Sequence, residues 1–256
     1  MEFNSYVALG DSQTEGLNDV DANGGFRGWA DRLAEQLAHD NPDLRYANLA
    51  VRGKRAAEVR DEQLATAIDL QADLYTVVAG MNDLIRPAFD LGATIAHLEA
   101  MYEALAATGA TVVTCTFPDI GEIVPLVRRL SPRVFALNAE IRKAAERQGV
   151  IVVDCEPHRA ICDPRYWSED RLHASPLGHA GIAAAFADTL KVTGSSSDWT
   201  IPLPNKPILN RRARIVTEAR WAATFLAPWI LRRLRGISSG DGITAKRPLL
   251  TPVFTN

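Results

Sequence analysis

The feature that most constrains the fold is an alternation of short apolar runs with longer amphipathic stretches, which continues to about residue 191. The apolar runs predict strands at residues 3–9, 44–50, 73–79, 110–117 and 150–154. The amphipathic stretches predict helices at residues 28–40, 55–70, 93–108, 132–148 and 176–190. Strands that alternate with helices form βαβ units, which build a parallel sheet covered by helices. The sequence therefore predicts an α/β protein, a three-layer α/β/α sandwich around five parallel strands.

Polar residues with catalytic potential follow two of the predicted strands. Gly10-Asp11-Ser12 comes directly after the first apolar run, and Gly80-Met81-Asn82-Asp83 comes directly after the third. The carboxyl ends of parallel strands meet at one edge of a sheet, where open α/β folds place their sites. Far downstream, Asp170-Arg171-Leu172-His173 supplies a carboxylate and an imidazole. Together these segments predict an acyl-transfer site.

The chemistry of acyl transfer requires residues of these types. A serine hydroxyl is a poor nucleophile until a neighbouring base accepts its proton, and an imidazole does so near neutral pH. We therefore expect His173 to activate Ser12. A carboxylate on the far ring nitrogen fixes the tautomer and stabilises the imidazolium. Asp170 lies three residues before His173, so a single turn of the chain can bring both side chains into one cleft.

In these segments the chain resembles the GDSL-type acylhydrolases, the SGNH hydrolase superfamily, named for a serine, glycine, asparagine and histidine in four sequence blocks. All four blocks occur in the family order over roughly residues 3 to 190. The blocks are Gly10-Asp11-Ser12, Asn48 to Gly53, Gly80 to Asp83, and Asp170-x-x-His173, the last followed by Ser175-Pro176-Leu177-Gly178-His179.

The resemblance implies a role for each matching residue. Ser12, Asp170 and His173 would form the catalytic triad, and the oxyanion hole would consist of Ser12, Gly53 and Asn82. Donors of this kind are each worth about two to three orders of magnitude in rate. The resemblance also implies a flavodoxin-like sheet with strand order 2-1-3-4-5. It implies no cofactor and no metal.

The function implied is that of a serine hydrolase, an esterase- or lipase-like acylhydrolase that cleaves carboxylic esters through an acyl-enzyme on Ser12. Its partner would be a small-molecule, lipid or sugar ester and not a nucleic acid. An acyltransferase or a carbohydrate O-deacetylase would use the same triad, so both stay open. Aromatic and aliphatic residues in the loops predict one apolar pocket, and these are Phe26, Trp29, Phe89, Ile123, Leu126, Tyr166 and Trp167.

Single residues also have structural interpretations. Asn82-Asp83 alone is typical of a turn or a helix cap, and Gly53 alone indicates only that the backbone needs space or a positive φ. His173 and His179 with Asp170 are a possible metal set. A metal site would leave Ser12 and Asn82 without a role, which favours the triad.

The composition predicts one catalytic domain with an appendage. The chain has 256 residues, of which 47% are hydrophobic and 23% charged, which is ordinary for a globular protein. We predict a catalytic domain at residues 1–195 and a C-terminal extension at residues 196–256. No leader or membrane-spanning run is visible, and three cysteines fit a reducing compartment. We therefore expect a cytoplasmic protein.

The extension has a net positive charge, opposite in sign to that of the rest of the chain. Residues 206–256 contain ten Lys or Arg and two Asp or Glu, a net of +8, whereas the remaining residues have a net of −11. Residues 208–235 have the pattern of a basic amphipathic helix, with Ile215, Ala219, Ala222, Leu226 and Trp229 or Ile230 on one side. We expect this helix to pack on the acidic domain. Peripheral membrane contact, a lid or an oligomer contact are the alternatives, and residues 236–256 are expected to be extended or disordered. The oligomeric state stays open.

Overall fold

A computed structural model describes residues 2–22, 24–204, 217–228, 231 and 239–254 of the chain. These residues contain a six-stranded sheet in the order β5-β4-β3-β1-β2-β6. The strands are β1 Ser5–Gly10, β2 Arg45–Asn48, β3 Leu74–Val78, β4 Thr111–Cys115, β5 Ile151–Val153 and β6 Arg247–Pro252. The first five are mutually parallel. Their order, 2-1-3-4-5, is the predicted one.

Helices cover both faces of this sheet. The described α-helices are α1 Ser12–Glu15, α2 Gly28–Asp40, α3 Ala56–Asp69, α4 Met81–Leu84, α5 Leu91–Ala106, α6 Ile120–Ile123, α7 Ser131–Gln148 and α8 Pro176–Leu190. α2 packs against α8, while α5 packs against both α3 and α7. The five long helices confirm the sequence prediction. The four-residue helices α1, α4 and α6 were not predicted, because one turn is too short to show a helical period.

The core lies between the sheet and its two helix layers. All five residues of β3 are buried, as are the last five of β1, as expected for parallel strands covered on both faces. The rings of Trp29 on α2 and Phe186 on α8 stack with their centroids 4.3 Å apart. This packing fixes the helices against the sheet, so the loops at the carboxyl ends of the strands have a rigid base.

The sixth strand corrects the predicted strand count. β6 pairs antiparallel with β2, with Arg45 opposite Pro252 and Tyr46 opposite Thr251. It satisfies backbone groups that β2 would otherwise leave at an open sheet edge. Prolines within Arg247–Pro252 are tolerated because β6 is itself an edge strand, and for the same reason its sequence does not look like a core strand. Residues 236–256 were expected to be extended or disordered, and the extended alternative holds for residues 247–252.

The predicted basic helix is present where the structure describes it, at residues 217–228, which we call the C-terminal helix. Its buried side differs from the predicted stripe, because Trp221 is buried while Ala219 is exposed. Ile215, Trp229 and Ile230 lie outside the described residues. No helix in the described ranges combines the length and apolar character needed to cross a membrane. The division of the chain at residue 195 stays a prediction.

Candidate active site

Ser12 is the first residue of α1, just after β1, and is hydrogen-bonded to His173, which comes much later in the chain. Its Oγ lies 3.0 Å from Nε2 of His173, and Nδ1 of His173 lies 2.7 Å from Oδ2 of Asp170. An ionised carboxylate only accepts hydrogen bonds, so the proton of the neutral imidazole is on Nδ1 and Nε2 is free to accept the proton of Ser12. The structure thus brings the three predicted triad residues together in a chain of two hydrogen bonds.

Tight backbone packing positions Ser12 at this point, where its side chain is largely buried. A side chain on Gly10 would place its Cβ 2.6 Å from the carbonyl oxygen of Val78 on the neighbouring strand, so only glycine fits. Asp11 caps α1 by accepting from the N–H of Gln13 at 3.2 Å. The strand therefore stops at Gly10, and the cap turns the chain so that Ser12 faces the loop of His173.

Asp170 is held by five described hydrogen bonds. Its Oδ1 accepts from Ser168 Oγ and from the backbone N–H groups of Leu172 and His173, and its Oδ2 accepts from His173 and Asn18. Burial disfavours the charged carboxylate, but the hydrogen bond and charge of His173, with the backbone donors, outweigh it and hold the pKa of Asp170 well below its usual range. Asp170 is thus ionised at neutral pH and oriented toward the imidazole.

Gln13 connects the two halves of the triad, and sequence reasoning missed it. Its Nε2 donates to the carbonyl of Leu172 at 2.9 Å, and its Oε1 accepts from the N–H of Ala174 at 3.2 Å. One amide thus binds the peptide groups on both sides of His173. The residues concerned are about 160 positions apart, and no spacing rule connects them. Asn18 was missed for the same reason.

The two remaining oxyanion candidates lie in the turn after β2 and in the short helix α4 after β3. Gly53 follows β2 with φ +79°, in the left-handed region that favours glycine. The preceding residue, Arg52, is bound by the buried Glu15, which accepts from the backbone N–H of Arg52 at 2.8 Å and from its Nε at 3.0 Å. α1 therefore carries the nucleophile at its start and fixes the Gly53 loop at its end. Sequence reasoning also missed this ion pair.

The side-chain amide of Asn82 links the turn before Ser12 to the loop that contains Gly53. Its Nδ2 donates at 3.0 Å to Oδ2 of Asp11 and at 3.0 Å to the carbonyl of Lys54. Burial raises the pKa of the Asp11 carboxyl to about 6, so this acceptor is charged above that pH. Both N–H groups of the amide are engaged in the free protein. Donation to an oxyanion therefore requires one of these two hydrogen bonds to be shared or exchanged.

An apolar cavity of about 80 Å³ lies next to residues that flank Ser12 and His173 in the chain. Gln13 and Ala174, the neighbours of Ser12 and His173 in the chain, line it together with residues at the ends of β3, β4 and β5. The rest of the wall comes from α2, α8 and the loop before the triad acid, and includes Trp29, Ile161, Tyr166, Trp167 and Ile182. Of the seven pocket residues proposed from the sequence, Trp29, Tyr166 and Trp167 line this cavity. Phe89 instead lies against Arg133.

Comparison with known proteins gives the family. The profile of the GDSL-like Lipase/Acylhydrolase family matches residues 8–180. The chain belongs to this family. It is accordingly a carboxylic ester hydrolase, and the matched range contains all four blocks from which the family resemblance was inferred. A comparison with curated protein sequences found no significant match.

Solved structures with the same fold include several esterases. A catalytic mutant of Axe2, an acetylxylan esterase from Geobacillus stearothermophilus, has a TM-score of 0.62 at 18% identity, over 76% of this chain and 97% of that one. TesA has a TM-score of 0.62 at 20% identity, over 73% and 98%. LAE5, an alpha/beta hydrolase enzyme from the metagenome of Lake Arreo, Spain, has a TM-score of 0.59 at 23% identity, over 75% and 97%. These similarities support the sandwich fold of the family.

The second histidine of the last block is structural. His179 is fully buried at the start of α8, where its Nε2 donates to the carbonyl of Leu17 at 2.9 Å and its Nδ1 accepts from the N–H of Trp29 at 3.1 Å. Burial lowers its pKa to about 4, so it is neutral at pH 7. Within the part of the chain that the structure describes, no group of three or more His, Cys, Asp or Glu could hold a metal ion.

Removal of the Asn82 amide tests its proposed role in this esterase. If Asn82 donates to the oxyanion in the transition state, Asn82→Ala should lower kcat by roughly 10²-fold with little change in KM. Steady-state kinetics on p-nitrophenyl acetate and a melting curve measure both effects. An unchanged kcat combined with a large loss of Tm would leave Asn82 only its structural links to Asp11 and Lys54.

Proposed function

We propose that this protein hydrolyses esters of short-chain carboxylic acids through an acyl-enzyme on Ser12. The observation that carries the proposal is the continuous hydrogen-bond chain from Ser12 through His173 to Asp170, with distances of 3.0 and 2.7 Å. It joins a nucleophile, a base and an orienting carboxylate in the order that acyl transfer needs.

In the proposed mechanism Ser12 Oγ attacks the acyl carbonyl carbon while His173 Nε2 takes the hydroxyl proton. The tetrahedral intermediate collapses when the bond to the alcohol oxygen breaks, and the imidazolium gives that oxygen its proton. Water then repeats the two steps on the acyl-enzyme, which releases the acid and restores Ser12. Asp170 stabilises the imidazolium in both halves, and Ser12 N–H, Gly53 N–H and Asn82 are the proposed oxyanion donors.

The small volume of the apolar cavity favours a substrate with a short acyl group. Its volume of about 80 Å³ is smaller than an engineered cavity of about 150 Å³ that binds benzene, so we assign it to acyl groups of about two to four carbons. One structural neighbour is an acetylxylan esterase, which is consistent with this size. The same acyl-enzyme could pass its acyl group to an alcohol, so a transferase would differ only in the acceptor. A carbohydrate O-deacetylase is the sugar-ester case of the same reaction.

A series of p-nitrophenyl esters from acetyl to dodecanoyl tests this assignment. We expect kcat/KM to fall by at least about tenfold between butyryl and octanoyl, because a methylene that does not fit a pocket costs about that factor. Ile182→Ala should enlarge the cavity from the α8 side and recover part of the loss for the longer esters.

Ile68→Ala is the matched control for this series. Ile68 on α3 is, like Ile182, a partly buried residue against the main core, but it lies near Asp73 and Thr111 at the opposite end of the sheet. It should lower stability without changing the chain-length profile. A wild-type preference for dodecanoyl esters would contradict the short-acyl assignment and leave the triad mechanism untouched.

The cellular site and a membrane role remain proposals. We place the protein in the cytoplasm. For the basic residues 208–235, co-sedimentation of the full-length chain with anionic liposomes would reveal peripheral membrane contact, which should weaken with salt.

A further inference from the structure

The C-terminal helix packs on the loops that carry the active site. Trp221 is 8% exposed and forms a small hydrophobic cluster with Ile123 at the end of α6 and with Val124, which follows it. Phe225 and Trp167 pack against the same cluster. The family match ends at residue 180, so this helix comes from a part of the chain that the family profile does not cover.

Trp221 also makes a polar contact with the residue that orients the catalytic histidine. Its indole Nε1 donates to the backbone carbonyl of Asp170 at 3.1 Å. Hydrogen bonds from Asn18, Ser168 and the following backbone hold the Asp170 carboxylate, whereas Trp221 holds the main chain of the same residue from the outside. A shift of this main chain would move the carboxylate away from His173.

The next residue strengthens this contact. The guanidinium of Arg171 lies 4.9 Å from the centroid of the Trp221 ring, and its Nη1 lies 2.7 Å from Oε2 of Glu218, one helical turn before Trp221. Arg171 has φ +57°, a left-handed conformation that is unfavourable for a residue with a Cβ and persists only where the surroundings hold it. Trp221 and Glu218 supply part of those surroundings.

The same helix supports the wall of the cavity. Trp167 lines the cavity and also packs on the cluster that contains Trp221. Nε1 of Trp167 donates to the carbonyl of Ile161 at 2.9 Å, and this hydrogen bond joins two segments of the cavity wall. The helix therefore contacts both the turn of the triad acid and the outer side of the proposed acyl cavity.

We propose that Trp221 is a positioning residue for ester hydrolysis, which holds the Asp170 turn so that the carboxylate stays aligned with His173. This inference rests on the proposed triad mechanism and extends it to a residue outside the matched family region. The indole N–H of Trp221 binds the main chain of Asp170, not the Ser12 hydroxyl or the His173 ring. Its effect should therefore appear in the rate of the chemical step, not in binding of a short ester.

The test is Trp221→Phe in the full-length chain, which retains an aromatic ring and removes the indole N–H. We expect kcat on p-nitrophenyl acetate to fall about 2- to 10-fold, the range set by loss of one hydrogen bond, while KM stays unchanged. The rate of inactivation by a fluorophosphonate should fall by a similar factor, since it depends on the same activated Ser12.

Trp199→Phe is the matched control. Trp199 is 9% exposed, and its Nε1 donates to Asp188 on α8 at 3.1 Å, so the same substitution removes one indole hydrogen bond away from Asp170. It should lower Tm to a similar degree and leave kcat unchanged. If Trp221→Phe lowers Tm more than this control does, Glu218→Gln gives a second test. That variant keeps the indole, and we expect about a 2-fold lower kcat, the size of a partly exposed ion pair.

Two results would overturn the inference. The first is a kcat for both Trp221→Phe and Glu218→Gln that equals the kcat of Trp199→Phe. The second is a higher KM with unchanged kcat for Trp221→Phe, which would make the helix a substrate-binding element. Ser12→Ala measured in parallel separates this inference from the mechanism. Full activity of Ser12→Ala would refute the mechanism, whereas an inactive Ser12→Ala beside an unaffected Trp221→Phe would refute only the role of Trp221.

Discussion

Ser12→Ala should lower kcat for p-nitrophenyl acetate by at least about 10⁴-fold, as loss of the nucleophile does in other triads. Only the hydroxyl that forms the acyl-enzyme is removed, while the cap from Asp11 and the bridge from Gln13 remain. Tm should therefore stay close to that of the wild type. Steady-state kinetics and a thermal melt on the same preparation measure both quantities.

Ser5→Ala is the control for this variant. Ser5 begins the same strand that ends before Ser12, and its Oγ accepts from the N–H of Asp73 at 3.0 Å at the opposite edge of the sheet. Its removal should leave kcat unchanged. A Ser12→Ala protein that retains wild-type kcat would require another nucleophile.

Asp170→Asn should lower kcat by about 10⁴-fold, as the same change does in the serine-protease triad. The amide cannot stabilise the imidazolium, and its NH₂ group facing Nδ1 favours the tautomer in which Nε2 carries the proton. His173 then cannot accept the proton of Ser12. KM for a short ester should change little, because Asp170 contacts His173 and not the acyl group.

This variant should also show a defined pH dependence of stability. The folded-state pKa of Asp170 is depressed, so its ionised form adds stability above the unfolded value of about 3.9 and loses it as the pH falls below that value. The Tm difference between wild type and Asp170→Asn should therefore be constant above about pH 5 and shrink as the pH falls below about 4. Melting curves from pH 3 to 7 measure it.

Asp154→Asn controls for loss of a carboxylate beside the same sheet edge. Burial opposes ionisation of Asp154 as well, but hydrogen bonds from Arg142 and Thr116 lower its pKa. It does not contact the described triad atoms, so its substitution should change Tm without a comparable loss of kcat. Equal kcat losses in both variants would indicate a general structural effect instead of a triad.

The sequence predicted the fold well because each signal was local. Strands such as Leu74–Val78 are buried on both faces and read as continuous apolar runs, and each long helix has its own period. The start of α8 is also determined locally, since Ser175 accepts from the N–H of Gly178 and Pro176 occupies the first helical position. β6 was missed because an edge strand with prolines has no such signal.

The proposed catalytic residues were inferred from the sequence for a different reason. Acyl transfer restricts Ser12, Asp170 and His173 to particular residue types, and their blocks follow the order of the family that the chain resembles. The residues that align them are not restricted in this way. Gln13 and Trp221 donate hydrogen bonds to backbone carbonyls of distant segments, and other side chains with an N–H group could make the same bonds. Only the folded chain shows which peptide group each one meets.

Asn82 lies between these two cases. Its block identified the residue, but the direction of its amide depends on Asp11 and on the carbonyl of Lys54. The kcat of Asn82→Ala tests whether this amide turns to the oxyanion in the transition state.

The central claim, that Ser12 is the nucleophile, is tested most directly by trapping the covalent adduct. The full-length protein is treated with a fluorophosphonate, and the modified peptide is mapped by mass spectrometry. We expect one adduct per chain, on the peptide that contains Ser12, together with complete loss of esterase activity and no adduct in Ser12→Ala. An adduct on another residue, or unchanged labelling of Ser12→Ala, would contradict it.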